Sequence, residues 1–175
     1  MAGEGKGFMS LEEMSAELVE CARYGEDEAL RAYLAAGADV NSKDAGGSTA
    51  LHKASANGVV ECLMSWREFN AAYGAYDGGN YPSHWAVQNG RLDALKYLVD
   101  NYTEVDMLKK NGQGRSTLTD AFTRGDEAIL EVCLSHDSAS EEDRNVVPLA
   151  NLTAFWSLDI PVSQAGAWPR GRGRA

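Results

Sequence analysis

Four glycines, Gly25, Gly58, Gly90 and Gly125, stand 33, 32 and 35 residues apart, and similar residues precede and follow each of them. This recurrence constrains the fold more than any other feature of the chain. A unit of that size cannot bury an apolar face by itself, so successive units must stack and share their cores. The sharpest copy is Gly47-Ser48-Thr49-Ala50-Leu51-His52-Lys53-Ala54-Ser55-Ala56-Asn57-Gly58. Leu51, Ala54 and Ser55 recur at helical spacing. Thr49 is expected to cap the helix with its hydroxyl, and Gly58 to end it in the left-handed conformation.

The run Thr49-Ala50-Leu51-His52-Lys53-Ala54, opening a helix at this period, resembles an ankyrin repeat, with Ala50 where Pro is usual. Leu18 to Asp44 follows the rest of the motif and closes on Gly37-Ala38-Asp39-Val40-Asn41. Tyr81-Pro82-Ser83-His84-Trp85-Ala86 keeps the Pro, His and Ala, but Tyr and Ser replace Thr and Leu. Ser116-Thr117-Leu118-Thr119-Asp120-Ala121 keeps the cap and the Leu, with Thr for His. The resemblance implies an all-α fold, an α-solenoid of about four repeats, each a helix-turn-helix with a hairpin loop, the terminal ones degenerate. The expected repeats are 10–43, 44–76, 77–110 and 111–137, after a flexible leader at 1–9 and before a capping segment and Gly/Arg-rich tail at 138–175.

The apolar stripes agree with this division. Ser10 and Glu13 form a capping box, followed by Met14, Leu18, Cys21 and Ala22 at helical spacing. Ala29, Leu30, Tyr33 and Leu34 mark a second helix, Val60, Leu63 and Trp66 a third stripe, and Leu92, Leu95, Tyr97 and Leu98 a fourth. The last repeat has Ile129, Leu130, Val132, Cys133 and Leu134, and Leu149, Leu152, Phe155 and Trp156 are available to cover its free side. Asp77-Gly78-Gly79-Asn80 reads as a hairpin tip.

The formal net charge of -10 argues against nucleic acid as a partner, since phosphate neutralisation drives that binding. It favours a basic protein partner instead. No apolar run approaches the ~20 residues of a membrane span, and Met1 to Gly7 has no signal-peptide core. A cytoplasmic or nuclear location is expected. Cys21, Cys62 and Cys133 lie too far apart for a disulfide framework or a Cys-x-x-Cys site and fall at core positions. No nucleophile motif, phosphate loop or dinucleotide fingerprint is present, so no catalytic residue, cofactor or metal is expected. His52 and His84 share one register position, where the resemblance implies a histidine that holds one repeat's loop to the next through backbone hydrogen bonds.

By resemblance the function is to bind another protein on a concave face, as a monomeric, non-enzymatic adaptor. The positions of this sequence that match that face are Lys53, Asn57, Asn80, Tyr81, Trp85, Gln88, Asn89, Arg115, Asp120 and Arg124. Trp85 is the expected anchor, an aromatic at a normally polar, solvent-facing position, unless it and Tyr81 fill the gap left by Ser83. Two alternatives remain: an N-terminal targeting module of a larger, methyltransferase-like enzyme, or an acidic escort for a basic client. Gly166 to Ala175 has nothing with which to pack a core. Limited trypsin digestion is therefore expected to cut at Arg170, Arg172 and Arg174 before it reaches the array, and mass spectrometry of the early fragments checks this.

Overall fold

The computed structural model describes residues 9–69, 71–76 and 78–139, with the backbone alone at 66–68. The expectations for the leader at 1–8, for the side chain of Trp66, for Asp77, and for Leu149, Leu152, Phe155, Trp156 and the Gly/Arg tail fall outside the described residues. Among the described residues the secondary structure is helical: α1 (Leu11–Tyr24), α2 (Asp27–Ala35), α3 (Ala50–Asn57), α4 (Val60–Glu68), α5 (Pro82–Gln88), α6 (Leu92–Asn101), α7 (Thr117–Arg124) and α8 (Glu127–Ser135). The helices α1, α3, α5 and α7 pack side by side in one row, and α2, α4, α6 and α8 in a second. Each helix of the first row also packs on its successor in the second, so the chain is an all-α solenoid of helix pairs.

Local chemistry places the helix ends. Ser10 Oγ accepts the Glu13 N–H at 3.2 Å while Glu13 Oε2 accepts the Ser10 N–H at 2.7 Å, which satisfies two orphan donors of α1. Asp126 caps α8 through the N–H groups of Ala128 and Ile129. Thr49 opens α3 in a capping box with His52. Its hydroxyl lies 2.9 Å from His52 Nδ1. His52 Nδ1 also accepts the Thr49 N–H at 3.4 Å. In α7 a threonine, Thr119, stands at the corresponding position, and Ser116 Oγ accepts its N–H at 3.1 Å.

Leu18, Leu30, Leu51, Leu63, Leu95, Leu98, Ile129 and Leu130 are fully buried between successive helix pairs. Each such side chain is worth about 1.5–3 kcal/mol of apolar burial. Cys21, Cys62 and Cys133 are buried free thiols, and burial pushes their titration up to about 11, 11 and 12. Ser83 breaks the apolar pattern, and the structure shows what replaces the missing leucine. Tyr73, from the irregular stretch after α4, donates its hydroxyl to Ser83 Oγ at 2.7 Å. Ser83 Oγ is 2.9 Å from Thr117 Oγ1, which in turn is 3.3 Å from His84 Nδ1. Tyr73, rather than Tyr81 or Trp85, reaches the space beside Ser83, and a closed polar chain stands where repeats with leucine have an apolar contact.

Before α3, α5 and α7 the backbone forms three equivalent hairpins, closed by Asp44 N–H to Ser48 C=O, Tyr76 N–H to Asn80 C=O and Asn111 N–H to Arg115 C=O. Asp44 Oδ1 accepts the N–H groups of Gly46 and Ser48, and Asn111 Oδ1 those of Gln113 and Arg115. That fixes the Asn111 amide, whose Nδ2 donates to Asn80 Oδ1 at 2.6 Å and ties adjacent hairpins together. Two turn glycines differ in their surroundings. Gly79 and Gly114 both have positive φ (80° and 77°), but a Cβ on Gly79 would run into the Gly112 backbone whereas one on Gly114 meets open space. Gly114→Ala is expected to cost about 1–2 kcal/mol of stability, the left-handed cost alone. Gly79→Ala should cost clearly more, because backbone must also move, and urea denaturation of the two variants checks the order.

Candidate protein-binding face

The face made by the hairpins and the first row of helices is held by two buried imidazoles. His52 Nδ1 faces the Thr49 N–H (3.4 Å) and the Thr49 hydroxyl, and a backbone N–H can only donate, so Nδ1 is the acceptor. The proton is then on Nε2, which donates to the Asn80 carbonyl at 3.1 Å. His84 repeats the arrangement. Its Nδ1 accepts from the Tyr81 N–H at 3.3 Å and its Nε2 donates to the Arg115 carbonyl at 3.1 Å. Each receiving carbonyl is the one that also closes the next hairpin. Neutral rings are required throughout. Burial, with the nearby charges of Lys53 and Lys43, pushes His52 down to about 4 against the pull of the Asn80 carbonyl and Asp44, and burial lowers His84 as well.

Around Trp85 the structure corrects the expectation of a free, solvent-facing ring. Trp85 is half-buried, with Tyr76 perpendicular to it at 5.7 Å and His52 edge-on at 6.5 Å. Lys53 Nζ lies 5.3 Å above its ring and 2.8 Å from Asp44 Oδ2. Tyr76 was not among the residues singled out from sequence. It stands where the neighbouring hairpins have Asp44 and Asn111, so it brings a ring where they bring a turn-forming carboxylate or amide. Comparing the three hairpins position by position would have flagged it. Tyr24, 71 % exposed at the end of α1, was also passed over, although it shares its register with Asn57, Asn89 and Arg124.

The other named residues divide into ties within the array and groups at its surface. Asp120 is buried rather than exposed, because its carboxylate is ion-paired with Arg115 and takes a 2.6 Å hydrogen bond from Gln88 Nε2. Its charge is held inside the face and is not presented to solvent. Asn57 Nδ2 donates to the Arg23 carbonyl and Arg124 to the Gln88 carbonyl, each satisfying the end of the preceding first-row helix. Asn80 accepts from Asn111, as above. Tyr81 stacks on Tyr73 at 5.8 Å under Lys109 Nζ, 4.8 Å from its ring. Lys53, Trp85 and Asn89 adjoin one another, since Asn89 Nδ2 donates to the Trp85 carbonyl at 2.8 Å. Gln88 and Asp120 continue the set through their own hydrogen bond.

The negative charge lies mostly elsewhere. Among the described side chains the second row carries Asp27, Glu28, Glu61, Asp93, Asp100, Glu127 and Glu131 against Arg31 and Lys96, and α1 carries Glu12, Glu13, Glu17 and Glu20 against Arg23. On the described residues of the hairpins and of α3, α5 and α7, Lys43, Lys53, Lys109, Lys110, Arg115 and Arg124 stand with Asp39, Asp44, Glu104, Asp106 and Asp120. Among the described residues no cluster of His, Cys, Asp and Glu has the geometry of a metal site, and no helix is long and apolar enough to cross a membrane.

Comparison with known proteins agrees with this architecture. The family model for ankyrin repeats (3 copies) matches residues 18–111. The chain is similar to protein phosphatase 1 regulatory subunit 12A of Mus musculus, 34% identical over 120 residues, which are 64% of this chain and 11% of that protein. It is 29% identical over 105 residues to transient receptor potential cation channel subfamily A member 1 of Homo sapiens, covering 55% of this chain and 9% of the relative. L-asparaginase of Dirofilaria immitis is 54% identical over 39 residues, 22% of this chain and 7% of that protein. The chain thus spans about a tenth or less of the length of these relatives.

The histidine geometry sets a pH dependence. Between its ordinary value of 6.5 and about 4, His52 takes up a proton in the unfolded chain but not in the folded one. Its contribution is complete above pH 6.5 and is lost as pH falls toward 4, up to about 3 kcal/mol. Asp27 and Asp44, held below the ordinary 3.8, act in the interval beneath that window. Urea midpoints are therefore expected to fall from pH 7 to pH 4.5. His52→Gln should be less stable at pH 7 by ~1–3 kcal/mol and flatter across the window, and a wild-type protein that is equally stable throughout would contradict the locked neutral ring.

Proposed function

Because this chain belongs to the ankyrin-repeat family, we propose that it is a non-catalytic protein-binding module that takes its partner on the concave face, centred on Trp85. The unit that does so is the array at 10–137, acting as a monomer. The observation that carries this reading is the set of groups around one partly accessible indole. Trp85 is wedged upright by Tyr76 and Lys53, and exposed Gln88 and Asn89 follow on the same helix. Large aromatic side chains in such settings dominate the binding energy of interfaces. Rigid support lowers the ordering cost of binding, and here the hairpins are tied to the helices by His52 and His84. A cytoplasmic or nuclear location suits the three buried free thiols.

The small share of each relative that the chain covers supports a second reading, in which such an array is one part of a much longer protein. One relative is named for an enzyme, L-asparaginase. Reading the transcript past Ala175 for a strand and a Gly-rich cofactor-binding turn tests whether a methyltransferase-like enzyme follows. The escort reading, by contrast, would use α1 and the second row, where the acidic side chains stand.

A photo-crosslinking residue placed at Asn89, and separately at exposed Ser135 on α8, distinguishes the faces. The Asn89 probe is expected to capture a partner that the Ser135 probe does not, and capture from Ser135 alone moves the site to the second row. Trp85→Ala should weaken binding by about 2 kcal/mol. It should also lower the melting temperature, because the ring packs on Tyr76 and His52, so affinity is to be measured well below that temperature.

A further inference from the structure

Three side-chain amides on this face have orientations set by partners that can only accept. Asn57 Nδ2 donates to the Arg23 carbonyl at 2.9 Å, Gln88 Nε2 to the Asp120 carboxylate at 2.6 Å, and Asn89 Nδ2 to the Trp85 carbonyl at 2.8 Å. Turning any of these amides over would set oxygen against oxygen. Each amide therefore spends a donor inside the array and keeps its carbonyl oxygen for the outside. All three residues are exposed, and none of the three oxygens accepts a hydrogen bond among the described residues. The three also lie together. Asn57 is the last residue of α3, Gln88 the last of α5 and Asn89 its C-cap, and α3 packs on α5.

The cations that border these amides are engaged. Arg23 pairs with Glu20 at 3.2 Å, Arg115 with Asp120 and Lys53 with Asp44 at 2.8 Å, while Arg91 and Arg124 donate to the Ala56 and Gln88 carbonyls at 3.2 and 3.1 Å. What the centre of the face offers is thus a row of acceptors beside an aromatic ring. We infer that its occupant is a cationic segment of the partner protein, whose arginine or lysine N–H groups reach the oxygens of Asn57, Gln88 and Asn89. A guanidinium carries five donors and stacks on aromatic faces, which suits both halves of the surface. Lys53 over Trp85 is an internal example of a cation resting on that ring. A carboxylate-bearing segment would meet the same oxygens with repulsion. The net charge of -10 adds attraction at long range.

This inference rests on the reading of the face as a binding site, and the test separates the two. The intact chain is titrated at low salt with a fluorescent peptide of alternating Arg and Gly, and with a Glu and Gly peptide of equal length. The Arg peptide is expected to bind and the Glu peptide not. Asn89→Lys, or Asn57→Lys if the first variant melts early, should weaken the Arg peptide roughly tenfold. Ser135→Lys on α8 makes the same change in charge and should do little. Equal weakening by both, or equal binding of the Glu peptide, overturns the inference. If the Arg peptide binds only when Arg170, Arg172 and Arg174 are changed to Ser, the occupant is the chain's own tail and the assignment to a partner falls. A protein captured from Asn89 that has no basic segment also sinks it, while leaving the concave-face reading intact.

Discussion

The hydrogen bond from an imidazole Nε2 to the carbonyl that closes the next hairpin is the contact on which the face of hairpins and first-row helices depends. His52 and His84 are almost wholly inaccessible, so a charged ring would be costly there. The hairpin carbonyls of Asn80 and Arg115 each receive two donors, one from their own turn and one from the ring behind. The position of each hairpin is thereby referred to the helix of the preceding repeat. Without that bond each hairpin would keep its own turn hydrogen bonds but lose its tie to the helix behind it. With it, the hairpin that carries Tyr76 is tied to α3, and Tyr76 packs against Trp85.

The same economy of donors and acceptors runs along the ends of the first-row helices. A helix leaves its last carbonyls without partners. Here Asn57, Arg91 and Arg124 reach back to the carbonyls of Arg23, Ala56 and Gln88 in the preceding repeat. These contacts join neighbouring repeats in polar terms, while the buried leucines join them in apolar ones. They also decide the chemistry of the surface. An amide that donates inward shows its oxygen outward, so the satisfaction of the interior and the character of the exterior are one fact.

Charge is distributed according to a different logic. The acidic side chains collect on α1 and the second row, where Glu20 pairs with Arg23 and Asp27 with Arg31 and the excess is negative. On the hairpins and α3, α5 and α7 cations and anions are nearly equal in number, and two ion pairs, Asp44 with Lys53 and Asp120 with Arg115, join some of them. Net charge is then a guide to long-range attraction, whereas local recognition follows from which lone pairs and N–H groups remain unused. The Asp120 carboxylate illustrates the difference. It contributes to the formal charge, yet it sits inside the face and acts by orienting Gln88.

The period of the glycines, the apolar stripes and the signature around His52 were all legible in the chain, and with them the stacked helix pairs. These are local properties, set by helix periodicity, capping and the size of a unit that must borrow core from its neighbour. The partition of the face was not legible. Trp85 was read as free and Asp120 as exposed, and Tyr76 was overlooked, because the contacts that settle them cross from one repeat to another. The Lys53–Trp85 and Gln88–Asp120 pairs join residues about a repeat apart. Whether they meet depends on how far one repeat is offset and turned against the next, and no spacing within a single repeat encodes that. The filling of the Ser83 position by Tyr73 has the same origin: a side chain from an irregular stretch found the vacancy only once the repeats were stacked.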